Sequence, residues 1–290
     1  MLEAVPNVSE GRDAAAIAAI GEAFSSSARL LDVHSDPDHH RSVYTLVGER
    51  ENLVASLLRG ITVACERIDL RLHNGVHPRV GAADVVPLVA LRPEDVEDAA
   101  AGALDVAARA GMELGLPVFL YGDVGGGRRP ASFRRGGVAE LERRLAADEV
   151  SPDFGPSRID PRSGAVLVGT RKPLVAYNLD LSTDDLDVAR AVAAAVRESS
   201  GGLPGVQAIG LRLPGSGRVQ VSMNVLDIEL SPLHEVVEAV TREAAARSTR
   251  VVAGELVGLV PAQVLEAATE AGVEVPGVYE SRVLERLMGL

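Results

Sequence analysis

Residues 30–47 read LLDVHSDPDHHRSVYTLV, and the predicted architecture starts from this run. Its two ends, residues 30–34 and 42–47, are rich in Leu, Val, Tyr and Thr, which favour β-strands. The polar segment between them contains Asp-Pro-Asp, a combination typical of turns. The run therefore predicts two strands joined by a hairpin connection.

Segments with helical periodicity flank this hairpin on both sides. One extends from about Asp13 to Phe24 and the other from about Glu51 to Arg67. A strand at Leu2 to Val5 precedes the first helix, and a strand at Ala83 to Val89 follows the second. The order is β-α-β-β-α-β, which is that of the ferredoxin-like plait.

The same order recurs in the C-terminal part of the chain. The sequence therefore predicts an α/β (α+β) chain of two ferredoxin-like subdomains, each a mixed sheet covered by helices. We place their boundary after the Pro/Gly/Ser-rich segment 151–157, which gives subdomains of residues 1–172 and 173–290. The C-terminal strands are predicted at Leu174 to Asn178, Val206 to Leu213, Arg218 to Leu226 and Arg250 to Val260, and the helices at about Asp184 to Glu198 and Pro232 to Arg247.

An additional segment separates the two repeats. It contains a helix from about Pro93 to Gly111, a strand at Val118 to Tyr121 and a helix from about Ala131 to Ala147. The glycine-rich run 122–127 lacks the Gly-x-Gly-x-x-Gly and Gly-Lys-Ser/Thr patterns of nucleotide-binding loops. We therefore interpret it as a flexible turn.

Composition excludes several classes of function. The 290 residues carry 29 basic and 41 acidic side chains, a formal net charge of −12, whereas binding to nucleic acid or to an anionic membrane needs a basic surface. The single cysteine, Cys65, cannot form an internal disulfide, which favours a reducing compartment. The first residues lack a signal-peptide pattern, and apolar runs such as Val85 to Leu91 are too short to span a membrane. We expect a cytoplasmic protein.

His77 is the first candidate for catalysis. It lies on a predicted loop that leads into a strand, and Pro78 favours an extended backbone there. An imidazole that titrates near neutral pH, followed two residues later by Arg79, suits proton transfer beside an anionic substrate. A surface histidine without a catalytic role has the same local pattern, so this alternative stays open.

Clustered histidines also suggest a metal site. His34, His39 and His40 share the hairpin with three aspartates, and His73 lies four residues before His77. The chain has no His-Glu-x-x-His helix, and polar hairpins of this composition are usually solvated. We therefore interpret the hairpin as a set of solvated histidines and carboxylates and expect no metal.

Donors suited to an anionic ligand concentrate in the run Gly155-Pro156-Ser157-Arg158-Ile159-Asp160-Pro161-Arg162-Ser163-Gly164. It supplies backbone N–H groups, hydroxyls and two guanidiniums shortly before Gly169-Thr170-Arg171-Lys172. Arginine binds carboxylates through two parallel hydrogen bonds, so the run suits a carboxylate ligand. An interdomain linker with ordinary surface arginines is the alternative.

Taken together, seven segments resemble the formiminotransferase domain of the glutamate formimidoyltransferase family, over nearly the whole chain. The likeness lies in complete short motifs that occur in the family's order. The segments are Val5-Pro6-Asn7-Val8-Ser9-Glu10-Gly11-Arg12, residues 32–43, residues 74–82, Pro152-Asp153-Phe154-Gly155-Pro156, Gly169-Thr170-Arg171-Lys172, Ala176-Tyr177-Asn178 and Gln220-Val221-Ser222-Met223-Asn224.

The resemblance implies transfer of the formimino group from N-formimino-L-glutamate to N5 of tetrahydrofolate, in histidine degradation. It implies two subdomains with a ligand groove between them, tetrahydrofolate as co-substrate, no metal, and a homo-oligomer, for which we expect a homodimer. His77 matches the family's catalytic histidine, and Gly155 to Gly164 match its folate-binding stretch. Because both ligands carry carboxylates, the candidate anchors are Arg41, Arg79, Arg171 and Lys172.

The hairpin differs from the family's usual pattern at two positions. His34 stands where the family usually has an acidic residue, and His40 where it usually has asparagine. Two alternatives to the transferase therefore stay open. One is a metal-dependent hydrolase that uses the histidines, and the other is a non-catalytic folate-binding homologue or one that acts on a different amidine or formyl donor.

Overall fold

The β-α-β-β-α-β order expected for the N-terminal part is confirmed. The computed structural model describes residues 1–75 and 78–289. The chain divides into two units, Met1–Arg171 and Lys172–Leu290. The first unit begins with β1 (Leu2–Ala4), β2 (Asn7–Val8), α1 (Ala14–Phe24), β3 (Arg29–Asp36), β4 (Arg41–Gly48), α2 (Arg50–Arg67) and β5 (Ala83–Ala90).

These strands form one sheet in which β1 and β2 lie at the centre. Both pair antiparallel with β4 on one side and with β5 on the other, and β3 pairs with β4. Helix α1 begins at Asp13, whose side chain accepts hydrogen bonds from the first helical N–H groups. Gly60 lets α2 pack against α1, because a Cβ at this position would overlap the ring of Phe24.

The additional segment extends this sheet. Strand β7 pairs in parallel with β5, and β6 pairs in parallel with β7, so the sheet is mixed, as predicted. The single helix predicted from Ala131 to Ala147 is wrong. Gly136 and Gly137 have φ of +78° and +71°, and such left-handed residues interrupt an α-helix. The elements are α3 (Val96–Glu113), β6 (Val118–Tyr121), α4 (Pro130–Arg134), α5 (Gly137–Ala146) and β7 (Val166–Thr170).

The second unit repeats the plait without added parallel strands. Its four strands pair in the order β11-β8-β10-β9, and every pair is antiparallel, so the prediction of a mixed sheet is wrong for this unit. Each crossover helix returns the chain to a strand two positions away, and the strand between them runs in the opposite direction. The elements are β8 (Val175–Leu181), α6 (Leu186–Val196), β9 (Val206–Arg212), β10 (Val219–Val225), α7 (Leu233–Ala245), β11 (Val251–Val257), α8 (Ala262–Glu270) and α9 (Leu284–Met288).

Each unit has its own apolar core, built mainly from Ala, Val and Leu. In the first unit α1, α2 and α3 cover one face of the sheet, while α4 and α5 cover the other face over the parallel strands. In the second unit α6, α7 and α8 pack on one face. Among the described residues, no helix is both long and apolar enough to cross a bilayer. The sheet of the first unit is therefore packed on both faces where its parallel strands lie.

Candidate active site

The turn between β3 and β4 is closed by Asp36. Its Oδ1 accepts hydrogen bonds from the backbone N–H of Asp38, at 2.8 Å, and of His39, at 2.9 Å, and its Oδ2 pairs with His39 Nδ1. Burial alone would raise the pKa of Asp36, but the hydrogen bonds and charge of His39 lower it to about 2. The prediction of a solvated histidine is wrong for His39, which is 1% exposed because its ring supports the turn from inside.

His40 ends this turn with φ of +50°, in the left-handed region. Its Nδ1 accepts the backbone N–H of Gly11 at 3.1 Å, and Glu10 Oε1 lies 3.4 Å from the same nitrogen. Burial lowers the pKa of His40. Glu10 opposes this effect, whereas the charges of Arg12 and Arg79 add to it. A nitrogen that accepts a hydrogen bond carries no proton, so this geometry fits a neutral imidazole.

The ring of His73 stacks on that of His40, with centroids 4.1 Å apart and an angle of 29° between the planes. His73 Nδ1 accepts the backbone N–H of Gly75 at 3.1 Å, and His73 Nε2–H donates to the carbonyl of His40 at 2.9 Å. Burial and then the charge of Arg79 lower the pKa of His73 to about 4. The two hydrogen bonds fit one neutral tautomer.

Arg79 joins the loop to the hairpin turn. Its Nη1 donates to the carbonyl of His40 and its Nη2 to the carbonyl of His39, both at 3.1 Å. Nη1 also contacts Nε2 of His73, because both donate to the same carbonyl. A Cβ at Gly75 would lie 2.7 Å from Nη2 and would overlap the carbonyl oxygen of His39. Glycine at position 75 therefore permits this close approach of loop and turn.

Positive charge concentrates around Arg79. Burial, together with the charges of Arg41, Arg134 and Arg12, lowers the pKa of this guanidinium to about 10, whereas Asp84 acts in the opposite direction. We call these four arginines the cationic cluster. A chain of net charge −12 thus places four guanidiniums in one region, an arrangement that suits an anionic ligand.

Asp84, at the start of β5, links this region to α4. Its Oδ1 accepts the backbone N–H of Val80 at 2.7 Å, and its Oδ2 pairs with Nη2 of Arg134. The two side chains are 3% and 16% exposed. Because Val80 directly follows Arg79, this carboxylate fixes the end of the loop that carries Arg79.

The end of the predicted folate-binding stretch meets the same loop. The backbone carbonyls of Arg162 and Ser163 accept the N–H groups of Leu70, at 2.9 Å, and Ala82, at 2.8 Å. Residues 155–158, at the start of the stretch, are exposed. The structure therefore brings the end of this stretch to the segments that precede His73 and follow Arg79.

The remaining predicted residues have other surroundings. Burial lowers the pKa of Arg171, and the charge of Glu3 opposes this effect. Lys172 Nζ lies 3.3 Å from Asp227 Oδ2. His77, the predicted catalytic residue, lies outside the described residues.

The metal-dependent alternative would need a group of side chains that can hold an ion. In the described ranges, 1–75 and 78–289, no group of three or more His, Cys, Asp or Glu side chains is arranged to hold an ion. His34 lies on β3 opposite Val43 of β4.

The glycine-rich run after β6 forms a tight turn in which the N–H of Gly122 donates to the carbonyl of Arg128 at 2.9 Å.

Four residues of this region were not predicted to have a role. Glu10 and Arg12 lie in a family-like segment, but no chemical pattern in the sequence distinguishes them. Asp84 and Arg134 are 50 residues apart, and no short motif connects them. Only the packing of α4 beside β5 makes their pairing visible.

Comparison with known proteins gives a consistent result. Two family models match the chain: the N-terminal subdomain of the formiminotransferase domain over residues 1–171, and the formiminotransferase domain over residues 176–275. Glutamate formimidoyltransferase of Thermoplasma acidophilum is 37% identical over 297 residues, covering 99% of this chain and 97% of that protein. The enzyme of the same name from Streptococcus pyogenes is 36% identical, covering 98% and 97%. Formimidoyltransferase-cyclodeaminase of Sus scrofa is 40% identical, covering 91% of this chain and 51% of that protein.

Proposed function

Because the chain belongs to the formiminotransferase family, we propose that it transfers the formimino group of N-formimino-L-glutamate to N5 of tetrahydrofolate. The products are 5-formiminotetrahydrofolate and L-glutamate, and the reaction belongs to histidine degradation. Tetrahydrofolate is a co-substrate in this reaction. We propose that residues 1–172 and 173–290 are the two subdomains of this transferase.

The cationic cluster is the observation that supports this proposal. N-formimino-L-glutamate carries two carboxylates and the folate carries at least one more, so both ligands are anionic. Arg41 and Arg79, two of the proposed anchors, belong to the cluster. The end of the folate-binding stretch is hydrogen-bonded to the same loop region, at Ala82. Arg171 and Lys172 are proposed as anchors from the family resemblance.

The chemistry requires one group that first accepts and then donates a proton. N5 attacks the formimino carbon and loses its proton, while the bond from that carbon to the glutamate nitrogen breaks and this nitrogen gains a proton. One imidazole can perform both transfers, as general base and then as general acid. We propose His77 for this role. His73 precedes His77 by four residues in the sequence, and its ring stacks on that of His40.

The test is a direct assay of transfer. The protein is mixed with N-formimino-L-glutamate and tetrahydrofolate, the mixture is acidified, and the absorbance of methenyl-folate is followed. We expect folate-dependent turnover that resists a chelator. In His77→Ala, kcat should fall by about 10²- to 10⁴-fold, the range for loss of a general acid or base.

His234→Ala provides a matched control, because His234 lies on α7 of the second unit and has no proposed role. This variant should keep its kcat. Folate binding without turnover by the unmodified protein would refute the transferase, and full activity of His77→Ala would refute the role of His77. Loss of activity with the chelator would favour the metal-dependent alternative. The homodimer and the cytoplasmic location stay predictions.

A further inference from the structure

Arg134 belongs to the cationic cluster, but its pairing with Asp84 has no role in the function proposed above. It joins three elements of the first unit: strand β5, helix α4 and the backbone at Val80. The carboxylate is shared, with one oxygen on the N–H of Val80 and the other on the guanidinium. Through hydrogen bonds Arg134 thus reaches the loop by way of Asp84.

The segment after Val80 is held by other bonds. The carbonyl of Val80 accepts the N–H of Ala165 at 2.8 Å, and the carbonyl of Gly81 accepts the hydroxyl of Ser9 at 2.7 Å. Ser9 is 2% exposed. These bonds fix the chain from Gly81 onward. The hydrogen bond from the N–H of Val80 to Asp84 fixes one more backbone group, on the side of Arg79.

Stability alone does not account for the pair. Buried ion pairs are often no more stabilising than apolar side chains of similar volume, because both charges lose their hydration. Nε of Arg134 is also buried and has no hydrogen-bond partner in the described part of the chain. An unsatisfied buried donor is destabilising, because it has lost its hydrogen bonds to water. An arrangement with these costs calls for a role other than stabilising the fold.

We propose that Arg134, acting through Asp84, is a positioning residue for the transfer reaction. By holding the carboxylate, it fixes the N–H of Val80 and with it the backbone of Arg79, whose guanidinium binds the carbonyls of His39 and His40. Without Arg134 the buried carboxylate loses the cation to which it is hydrogen-bonded, and the loop end shifts. This inference rests on the proposed function, because the loop matters only if the region is catalytic.

Two substitutions at position 134 separate the roles of charge and geometry. Arg134→Gln removes the charge, whereas Arg134→Lys retains it and can still pair with Asp84, although without the planar fork. A displacement of about 1 Å in a catalytic site can reduce the rate by about 10²-fold. We therefore expect kcat of Arg134→Gln to fall by about 10- to 100-fold, with the KM for tetrahydrofolate within about threefold of the original. Arg134→Lys should recover much of the loss.

Arg128→Gln is the matched control, since the same arrangement occurs there at another loop. Arg128 Nη2 lies 2.7 and 2.8 Å from the two carboxylate oxygens of Asp153, and Asp153 Oδ2 accepts the backbone N–H of Leu120 at 2.7 Å. This variant should lower the melting temperature but keep kcat. Circular dichroism verifies that each variant is folded at the assay temperature.

Hydrogen exchange gives a second readout that does not depend on turnover. The amide of Val80 should exchange faster in Arg134→Gln than in Arg134→Lys or Arg128→Gln. A kcat for Arg134→Gln within about twofold of the original, or an equal loss in Arg128→Gln, overturns the inference and leaves the proposed function intact. Absence of turnover by the unmodified protein overturns the proposed function and the inference with it.

Discussion

His73→Gln tests whether the loop histidine is held neutral by its surroundings. The glutamine amide can still donate a hydrogen bond toward the carbonyl of His40, but it does not titrate. Burial and the charge of Arg79 lower the pKa of His73 from 6.5 to about 4 in the folded protein. The unfolded chain lacks this environment, so its histidine takes up a proton at a higher pH than the folded one.

The sign and size of the effect follow from this difference. Between pH 6.5 and 4 the unfolded state binds more protons than the folded state, so stability falls as the pH decreases through this window. A difference of about 2.5 in pKa corresponds to about 3.4 kcal/mol at about 1.36 kcal/mol for each pKa unit. His73 is only half-buried, and screening by solvent reduces the expected effect to about 1–2 kcal/mol.

Urea unfolding at pH 7.5 and pH 4.5, followed by circular dichroism, measures this effect. The free energy of unfolding should decrease by about 1–2 kcal/mol more in the original protein than in His73→Gln. Removing His73 also removes its coupling to the stacked His40, whose charge adds to the lowering of the pKa of His73, so the measured difference contains both effects. His234→Gln controls for the loss of one histidine. Equal pH dependence of the original protein and His73→Gln would refute the electrostatic explanation.

Three further predictions follow from the same region and from α2. Arg79→Lys lacks the two separate Nη atoms that reach the carbonyls of His40 and His39, so thermal unfolding should show a loss of about 1–3 kcal/mol; an unchanged melting temperature would contradict a stabilising role of these two hydrogen bonds. Gly75→Ala should lower both the melting temperature and kcat, because the new Cβ overlaps main-chain oxygen; native values would disprove this steric argument. Burial raises the pKa of Cys65 to about 12, so mass spectrometry should detect its alkylation by iodoacetamide at pH 8 only after unfolding.

The sequence predicts the plait well because its signals are local. Strand-like and helix-like periodicities alternate over the hairpin and its flanking helices, and each extends far enough to define an element. The pairing of β6 and β7 with β5 depends on contacts between distant segments, which no local pattern contains. The break at Gly136 depends on a backbone angle, and two adjacent glycines predict such an angle only weakly.

In the candidate site, too, the sequence contains the local patterns but not the contacts between distant segments. Arg79 lies on a loop, but the sequence does not reveal that two of its donors bind main-chain carbonyls. The sequence predicts that His39 is a solvated turn residue. The prediction fails because the burial of His39 results from its bond to Asp36 and from the loop that contacts the turn. Short polar motifs predict that a residue is important more reliably than they predict which atom it contacts.

The cationic cluster connects the electrostatics of the fold to the chemistry of transfer. Bringing Arg12, Arg41, Arg79 and Arg134 together costs free energy in the unliganded protein, and this repulsion adds to burial in lowering the pKa of Arg79 to about 10. A bound carboxylate removes part of this repulsion, and the relief contributes to the affinity for the anionic formimino donor. Arg79 stays protonated at neutral pH with or without the ligand, since a pKa of about 10 lies well above it. Donor binding through this cluster should therefore depend on ionic strength rather than on protonation of the arginine.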